Sequence, residues 1–320
     1  MTERLHIESR PLRDGGSELP RVALGCGNFG GVGSAAEFFG QGLSDDEAAA
    51  VMDAAWELGV THFDTADAYG GGRSERAIGA WTRSRGVRPT LTTKTYNPMA
   101  PGADQGLDPR RIERQFAGSL ERLGVDSVEL YLAHDRDPDV PLADSLAAFD
   151  DLRADGRIGA YGVSNFDASQ LDQVLSAGAP AAIQNGYSLL ERDDEAEVLP
   201  LCAERGVAYL AYSPLRGGWL TGKYRRHAEY PAGSRMTQRP QPYAGLATEW
   251  TFDALEALGR FATARGTSMA GTALAWLLAD PRIGQVVVGP GRAEHLEPVR
   301  EALAAPLSDD ERQHVDDIFA

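Results

Sequence analysis

Short apolar runs alternate along the chain with longer segments whose apolar residues recur at helical spacing. The runs, in order, are RVALG, THFDTA, TLTTK, VELYLAH, GAYGVS, AAIQ, VAYLAYS and QVVVG. Within most of them the apolar residues are consecutive, which is typical of parallel strands that are covered on both faces. The pattern therefore predicts eight parallel strands that are separated mostly by helices.

Capping residues mark several of the predicted helices. The segment SDDE, which starts at Ser44, predicts a capping box that begins a helix, and Gly59 follows as its stop. Asp108 and Pro109 occupy the favoured positions for the start of another helix, which runs to about Leu123. The other helices are predicted at about 74–85, 142–154, 167–177, 195–205, 250–264, 268–279, 293–304 and 308–319.

Two stretches interrupt this alternation. Between LHIES and RVALG lies RPLRDGGSELP, whose prolines and glycines predict an N-terminal β-hairpin that leads into the first strand. The second stretch runs from Pro214 to about Thr248 and shows no regular period. Neither stretch is a low-complexity linker, so neither marks a domain boundary.

Eight βα units without a linker predict a single domain over residues 1–320. We expect it to fold as a (β/α)8 TIM barrel with an N-terminal β-hairpin and extra helices near the C-terminus. The alternative is a doubly wound open sheet, which needs a glycine fingerprint in a strand-to-helix turn. The segment GCGNFGG matches that fingerprint only loosely, and no acidic residue about twenty positions later ends a second strand.

Composition and charge narrow the classes of partner. The net charge of −16 over 320 residues argues against nucleic acid and acidic membranes, which bind basic surfaces. The two cysteines, Cys26 and Cys202, are too few for a disulfide framework and indicate a reducing, cytoplasmic setting. No run of 18 apolar residues and no apolar signal-peptide core occur, so we expect neither membrane spanning nor export. A small molecule is the expected partner.

Candidate chemistry lies where the predicted strands end. In a (β/α)8 barrel the active site lies at the carboxyl ends of the strands. Three successive strands end in Asp64, Lys94 and His134, and Tyr69 lies in the turn beyond the first of them. Each residue alone is explained as an ordinary strand end or turn residue. Packing alone does not explain four acid/base side chains at one edge, so together they predict a catalytic site.

The order and spacing of six segments resemble the aldo-keto reductase family over nearly the whole chain. The segments are FDTADAYGGGRSE, LTTK, YLAHDRD, GVSNF, IQNGYS and AYSPLRGGWLTGKY. The last one resembles the branch with a short substrate loop, which also contains the potassium-channel β-subunits. The resemblance implies that Asp64, Tyr69, Lys94 and His134 are the catalytic residues.

The residue types suit the reduction of a carbonyl group. Negative charge grows on the carbonyl oxygen during hydride addition, so a proton donor is needed there, and a free tyrosine with a pKa of about 10 is a weak one. We expect Lys94 to lower the pKa of Tyr69 and Asp64 to hold Lys94 charged. His134 is expected to share a hydrogen bond with the substrate oxygen. The hydride must come from a nicotinamide, because no side chain can supply one.

The resemblance implies NADP(H) as the cofactor, with NAD(H) the less favoured alternative and no metal ion. The residues expected to bind the nicotinamide end are Gly27, Asn28, Asp64, Ser164, Asn165, Gln184 and Tyr212. Those expected at the pyrophosphate are Ser213, Pro214, Leu215, Gly217 and Leu220. Those expected at the adenosine end are Lys223, Arg235, Gly289, Gly291, Arg292 and His295. The expected substrate-binding residues are Phe29, Tyr96, His134 and Trp219.

One segment, GPGRAEHLEPV, departs from the family pattern for the adenosine end. His295 replaces a glutamine, and Pro298 and Val299 stand where an acid and an amide are expected. Arg292 is one position away from the usual cation. The cations Lys223, Arg235 and Arg292 therefore favour NADP(H), while the contacts with adenine should be weak.

These expectations amount to a cytoplasmic NADP(H)-dependent oxidoreductase that interconverts aldehydes or ketones and alcohols. One alternative is a dehydrogenase of sugars or other polyols that works in the oxidative direction with the same four residues. Another is a cofactor-sensing regulatory subunit like the channel β-subunits, although the intact catalytic residues favour an enzyme. The sequence leaves the substrate, the direction and the oligomeric state open, including a homo-oligomer.

Overall fold

A computed structural model describes residues 4–13 and 18–320. Eight parallel strands form a closed barrel, in which each strand pairs with the next along the chain and the last pairs with the first. The strands are β3 (Val22–Gly25), β4 (His62–Asp64), β5 (Thr90–Thr95), β6 (Val128–Ala133), β7 (Ile158–Ser164), β8 (Ala182–Gly186), β9 (Ala208–Tyr212) and β10 (Ile283–Val288). The predicted barrel is confirmed, and the alternative of an open sheet is wrong.

The N-terminal hairpin closes the end of the barrel at which the strands begin. Its strands β1 (Ser9–Pro11) and β2 (Glu18–Pro20) pair antiparallel. Leu12 and Leu19 form one buried cluster with residues inside the barrel, among them Leu130. Among the described residues, these apolar side chains cover the end of the barrel where the strands begin.

The helices lie outside the barrel strands and follow the predicted order. They are α1 (Asp45–Leu58), α2 (Arg73–Arg85), α3 (Pro109–Leu123), α4 (Leu142–Ala154), α5 (Ala168–Ala177), α6 (Val198–Arg205), α7 (Arg235–Gln238), α8 (Glu249–Arg265), α9 (Met269–Ala279), α10 (Glu297–Ala304) and α11 (Asp309–Ile318). The capping box at Ser44 and the cap at Asp108 both form as predicted. No helix in the described part of the chain is both long and apolar enough to cross a membrane.

One predicted helix, 293–304, is divided into two parts. Residues Ala293–Leu296 form a 3-10 turn, and α10 begins only at Glu297. Pro298 lies in the first turn of α10. A proline is tolerated there because it has no N–H to donate, whereas further along a helix it would break a hydrogen bond.

The interior of the barrel also contains buried polar side chains. His62 is fully buried near the closed end, and its Nε2 lies 2.8 Å from Thr92 Oγ1. Burial lowers the pKa of His62 to about 3, so the ring is neutral. Nearer the open end, the buried side chains are Asp64, Lys94 and Gln184. The barrel therefore carries a charged pair towards the edge at which strands end.

Candidate active site

The centre of the site is a buried ion pair. Lys94 on β5 is fully buried, and its Nζ donates to Asp64 Oδ1 over 2.5 Å and to the carbonyl oxygen of Thr65 over 2.9 Å. Burial alone lowers the pKa of Lys94, but the Asp64 carboxylate and the Tyr69 phenol outweigh it and hold that pKa above its ordinary value. An ammonium has three N–H donors. One donor of Lys94 therefore remains for the phenol.

Tyr69 projects from the turn beyond β4 and is partly exposed. Lys94 Nζ lies 5.1 Å from the centre of its ring. The pKa of Tyr69 is raised by burial, and the nearby ammonium of Lys94 opposes this only in part. Lys94 therefore lowers this pKa, in the expected direction, but the effect of burial is larger. Tyr69 is consequently protonated at neutral pH.

Three glycines after Tyr69 give this turn its shape. Gly70, Gly71 and Gly72 have φ of 58°, 66° and 82°, a region that other residues adopt at a steric cost. A Cβ at Gly70 would lie 2.8 Å from the carbonyl oxygen of Phe29. The turn therefore needs glycine both for its conformation and for its close approach to the loop after β3.

His134 follows the last residue of β6 and faces Tyr69, with ring centres 5.4 Å apart. Burial and the positive charge of Lys94 lower the pKa of His134 to about 3, so the imidazole is neutral. Its Nδ1 is buried and has no partner among the described residues. Nε2 is therefore the nitrogen that can meet a substrate oxygen beside Tyr69.

Gln184 and Ser164 support the ion pair from β8 and β7. Gln184 Nε2 donates to Asp64 Oδ2 over 2.7 Å, and the hydroxyl of Ser164 donates to the carbonyl oxygen of Gln184 over 2.7 Å. The expected role of both residues was to bind the cofactor amide. Ser164 has used its one O–H donor, whereas Gln184 keeps a second amide N–H and its carbonyl oxygen for such a ligand. Sequence reasoning missed the contact with Asp64.

Asn165 ties together the ends of three strands. It adopts a φ of 63°, and its Nδ2 donates to the carbonyl oxygen of His134 over 2.8 Å. Its Oδ1 accepts a hydrogen bond of 2.8 Å from the hydroxyl of Tyr212. Asn165 therefore holds the Tyr212 ring and the His134 backbone in place, besides any contact with a ligand.

The loop after β9 is shaped by residues with positive φ. They are Ser213, Arg216, Gly217, Gly218 and Gly222. Leu220 is fully buried and its N–H donates to the carbonyl oxygen of Leu215 over 3.3 Å. Leu220 therefore has no free donor for a pyrophosphate, contrary to expectation. Pro214 is buried beside this turn, and Leu215 and Gly217 are partly exposed.

A paired arginine in this loop was not foreseen from the sequence. Arg216 Nη1 lies 2.6 Å from Glu191 Oε2, and both side chains are partly buried. The residues are 25 positions apart in the chain. No short motif contains both, so only the fold could reveal the pair.

The structure brings the expected cations of the adenosine end together. The pKa of Lys223 is lowered by partial burial and by the nearby charges of Arg235 and Arg292. Arg292 Nε lies 2.9 Å from His295 Nε2. Within residues 4–13 and 18–320, none of the three cations forms an ion pair with a carboxylate. The hydroxyl of Ser234, next to Arg235, is buried without a partner in the same part of the chain.

The glycines and Asn28 that the resemblance implies lie at different parts of the site. A Cβ at Gly27 would lie 3.5 Å from the Tyr69 ring, and Gly291 N–H lies 3.2 Å from His295 Nδ1. Gly289 is exposed at the end of β10. Asn28 Nδ2 donates to the carbonyl oxygen of Pro290 over 2.8 Å, while its buried Oδ1 has no partner in the described chain.

Two of the four expected substrate-binding residues are fully buried. Phe29 belongs to the hydrophobic core, and Trp219 packs against Tyr224 with ring centres 5.0 Å apart. Neither side chain offers surface to a ligand, because both are used to hold their loops against the barrel. Tyr96 and His134 remain partly exposed at the open end.

Sequence reasoning also missed a buried arginine that holds the loop after β5. Arg111 on α3 donates from Nη1 to Thr95 Oγ1 over 3.0 Å and to the carbonyl oxygen of Gly106 over 2.9 Å. Its Nη2 donates to the carbonyl oxygen of Asn97 over 2.9 Å. The helical pattern alone gives no sign of this role, because arginine on a helix is usually exposed.

Comparison with known proteins identifies the family of the chain. The sequence model described as "Aldo/keto reductase family" matches residues 21–320. The L-glyceraldehyde 3-phosphate reductase of Escherichia coli O157:H7 is 32% identical over 306 residues, which are 90% of this chain and 85% of that protein. A putative voltage-gated potassium channel subunit beta of Schizosaccharomyces pombe is 32% identical over 262 residues, 76% of this chain and 74% of that protein.

A solved structure extends the similarity to three dimensions. The glycerol dehydrogenase AKR11B4 from Gluconobacter oxydans matches with a TM-score of 0.84 and 28% identity, covering 98% of this chain and 95% of that chain. The residues matched by the family model, 21–320, contain all eight strands of the barrel. The chain therefore belongs to the aldo/keto reductase family of oxidoreductases.

Proposed function

We propose that this protein is an NADP(H)-dependent oxidoreductase that interconverts aldehydes or ketones and alcohols, with Tyr69 as the general acid and base. The observation that carries the proposal is the position of Lys94. It is fully buried, bonded to Asp64, and has one donor left beside the partly exposed Tyr69. Ion pairs buried this deeply are costly to fold, so their retention beside a reactive phenol favours a catalytic role.

The residues at the adenosine end fit a cofactor that carries a 2′-phosphate. Arg235 and Arg292 lie close enough to Lys223 to lower its pKa, and the three cations have no carboxylate partner in the described residues. Clustered cations repel one another, and an anionic ligand would relieve that repulsion. When bound, NADPH would supply the hydride.

The chain's own residues account for the proton and the orientation of the carbonyl group. His134 is neutral and would hold the carbonyl oxygen through Nε2. Tyr69 would donate its proton to that oxygen as charge develops there. Lys94 would stabilise the phenolate left behind, and Asp64, bonded to Gln184 as well, keeps Lys94 in position.

The raised pKa of Tyr69 favours reduction near neutral pH. Reduction needs the protonated phenol, whereas oxidation of an alcohol needs the phenolate as a base. Since burial raises this pKa, the phenolate becomes frequent only at alkaline pH. Polyol oxidation is the second candidate, and the similarity to a protein named a glycerol dehydrogenase supports it. The rate of polyol oxidation should increase relative to the rate of carbonyl reduction as the pH rises.

We further propose that the protein works in the cytoplasm on a small-molecule carbonyl compound. Both cysteines, Cys26 and Cys202, are free and buried, which suits a reducing compartment. A regulatory role, suggested by the name of the S. pombe relative, is less favoured. All four side chains needed for turnover lie together in the barrel mouth, and a sensor would need only cofactor binding.

The experiment that tests the proposal compares the parent protein with Tyr69→Phe. Reduction of a panel of aldehydes and ketones is followed by the absorbance of NADPH. We expect turnover by the parent and a loss of about 10²–10⁴-fold in Tyr69→Phe, the usual range for removing a general acid. Binding of NADPH, measured by fluorescence quenching, should be nearly unchanged. Turnover of the variant within a few-fold of the parent would refute the assignment of Tyr69.

A further inference from the structure

The turn after β7 holds Asn165 in an unusual backbone conformation. Its φ of 63° lies in the left-handed region, which few residues other than glycine adopt. A glycine would relieve this strain, but it has no side chain to bond with the His134 carbonyl oxygen and the Tyr212 hydroxyl, as Asn165 does. Residues strained in this way persist only where neighbouring groups fix them. Whatever fixes Asn165 therefore also determines where His134 and Tyr212 are held.

Asn185, on β8, binds the backbone on both sides of this strained residue. Its Oδ1 accepts the N–H of Asn165 over 2.9 Å, and its Nδ2 donates to the carbonyl oxygen of Phe166 over 2.8 Å. The same N–H has a longer contact of 3.2 Å with the carbonyl oxygen of Gln184. Because the rotatable backbone bonds of Asn165 lie between the two groups that Asn185 binds, these hydrogen bonds together restrict its backbone conformation.

The Asn185 amide is itself held from outside the barrel. Successive residues of a strand point to opposite faces. Gln184 is bonded to Asp64 inside the barrel, so Asn185 faces outwards. There its Nδ2 also donates to Asp194 Oδ2 over 2.8 Å, and the same oxygen accepts the hydroxyl of Tyr209 over 2.6 Å. The strained turn is thus connected to the outer face of two neighbouring strands.

The three contacts of Asn185 require an amide. They need one acceptor and two N–H donors, and an asparagine side chain has both kinds of group. An aspartate would supply the acceptor without a donor, and a leucine of similar shape would supply neither. Asn185 is also buried, and both of its side-chain N–H groups are bonded within the protein. Its effect on a ligand is therefore indirect.

We propose that Asn185 is a positioning residue that acts through Asn165 on the reaction centre. The proposal rests on the proposed function, because it concerns the same site. In that function His134 holds the carbonyl oxygen and Tyr212 lies beside the nicotinamide. A shift of Asn165 would displace both of these contacts, and a displacement of about 1 Å at a reaction centre can lower the rate about 10²-fold.

The test compares Asn185→Leu with a matched control, Gln285→Met. Each change replaces a buried amide on a barrel strand by an apolar side chain of similar size. Gln285 is bonded to His62 and to the carbonyl oxygen of Pro20, near the closed end of the barrel. With NADPH and an aldehyde both saturating, kcat per folded molecule should fall about tenfold or more in Asn185→Leu. It should keep the parent value in Gln285→Met, and circular dichroism gives the folded fraction of each variant.

A double-mutant cycle with Asn165→Gly decides whether Asn185 acts through Asn165. Asn165→Gly alone should lower kcat, because it removes the side chain that binds His134 and Tyr212. Adding Asn185→Leu should then lower kcat by less than about twofold, since the residue through which it acts is already gone. A kcat per folded molecule equal to that of the parent in Asn185→Leu would overturn the proposal. Two losses that multiply in the double variant would overturn it as well.

A second variant covers the case in which Asn185→Leu does not fold. Asn185→Ser replaces it in the same cycle, because the serine hydroxyl ends one bond before the position of the asparagine Oδ1 and leaves the N–H of Asn165 without this acceptor. If neither variant folds, Asn185 serves the stability of the barrel and the proposal is overturned.

Failure of the proposed function is recognised separately. If the parent reduces no carbonyl compound, that function fails, and the role of Asn185 is decided by hydrogen exchange of the Asn165 N–H, followed by NMR. The exchange should be about fivefold faster in Asn185→Leu than in the parent, the effect of one lost hydrogen bond. Gln285→Met should keep the parent rate. Equal acceleration in both variants, or none in Asn185→Leu, overturns the positioning role.

Discussion

Two sets of cations in this protein are held in opposite ways. Lys94 is fully buried and is bonded to a carboxylate on a neighbouring strand. Lys223, Arg235 and Arg292 lie nearer the surface, close to one another and, within the described residues, without a carboxylate partner. The first arrangement is complete inside the protein. The second is not.

The difference follows from solvation. A buried ammonium needs a buried carboxylate as its partner, because an uncompensated charge inside a protein lowers the free energy of unfolding by several kcal/mol. Cations near the surface are solvated by water and need no internal partner. The stability of the fold does not explain why three cations lie close together in a chain with a net charge of −16. The buried pair is therefore suited to chemistry, and the open group is suited to holding an anion.

The largest effect is expected from Lys94→Met. Removing the ammonium beside Tyr69 leaves the phenolate without its stabilising charge, so turnover should fall about 10²–10⁴-fold. The affinity for NADPH should change little. The same substitution in the other group, Lys223→Met, is the matched control, and it should weaken NADPH binding while preserving turnover at saturating cofactor. Steady-state kinetics and quenching titrations on both variants separate the two roles, and a similar loss of turnover in both would contradict the comparison.

A loss of stability is expected next, from Asp64→Asn. This change leaves a buried ammonium without its carboxylate, which typically costs about 3–5 kcal/mol of unfolding free energy. Arg235→Ala, in the open group, should stay within about 0.5 kcal/mol of the parent, as surface substitutions usually do. Urea unfolding followed by circular dichroism measures both. Equal stabilities of the two variants would show that the Lys94–Asp64 pair is not held as the structure indicates.

A smaller effect is expected on the choice of cofactor. If Arg235 contacts the 2′-phosphate, Arg235→Ala loses a charge-assisted contact of about 1.5–3 kcal/mol, which is at least tenfold in the preference for NADPH over NADH. Arg225→Ala is the control, because Arg225 is an exposed arginine two residues after Lys223. Dissociation constants of both reduced cofactors are measured for each variant. A parent protein that binds NADH as tightly as NADPH would show that these cations serve another purpose.

The smallest effect is expected in the pH profile between pH 5 and 8. The pKa of His134 is lowered to about 3, so this group is neutral throughout that range and becomes charged only at a more acidic pH. An ordinary histidine would titrate near pH 6.5. We therefore expect kcat/KM for reduction to change smoothly through pH 6.5 in the parent protein. The pH profile of His134→Gln should have the same shape in this range. A step that His134→Gln removes would mean that His134 is more exposed to water than the structure shows.

Much of the fold was predictable from the sequence because its signals are local. The capping box at Ser44 and the cap at Asp108 mark helix starts within a few residues, and both form. The eight apolar runs are enough to count the strands, since each is short and bounded by turns or helices. The split of the helix at Pro298 was missed because the periodicity continues across it and the proline is also allowed in a first turn.

At the site, the sequence by itself determined which residue types stand at which strand ends, and hence that Asp64, Lys94, His134 and the nearby Tyr69 meet. It did so because the strands are parallel and their carboxyl ends share one edge. Tertiary structure alone decided how those groups are charged and what surrounds them. Burial, which depends on residues far away in the chain, raises the pKa of Tyr69 by more than Lys94 lowers it. Phe29 and Trp219 are also fully buried, so they do not line the mouth as expected. The sequence did not predict this, because no local pattern indicates how deeply a side chain is covered.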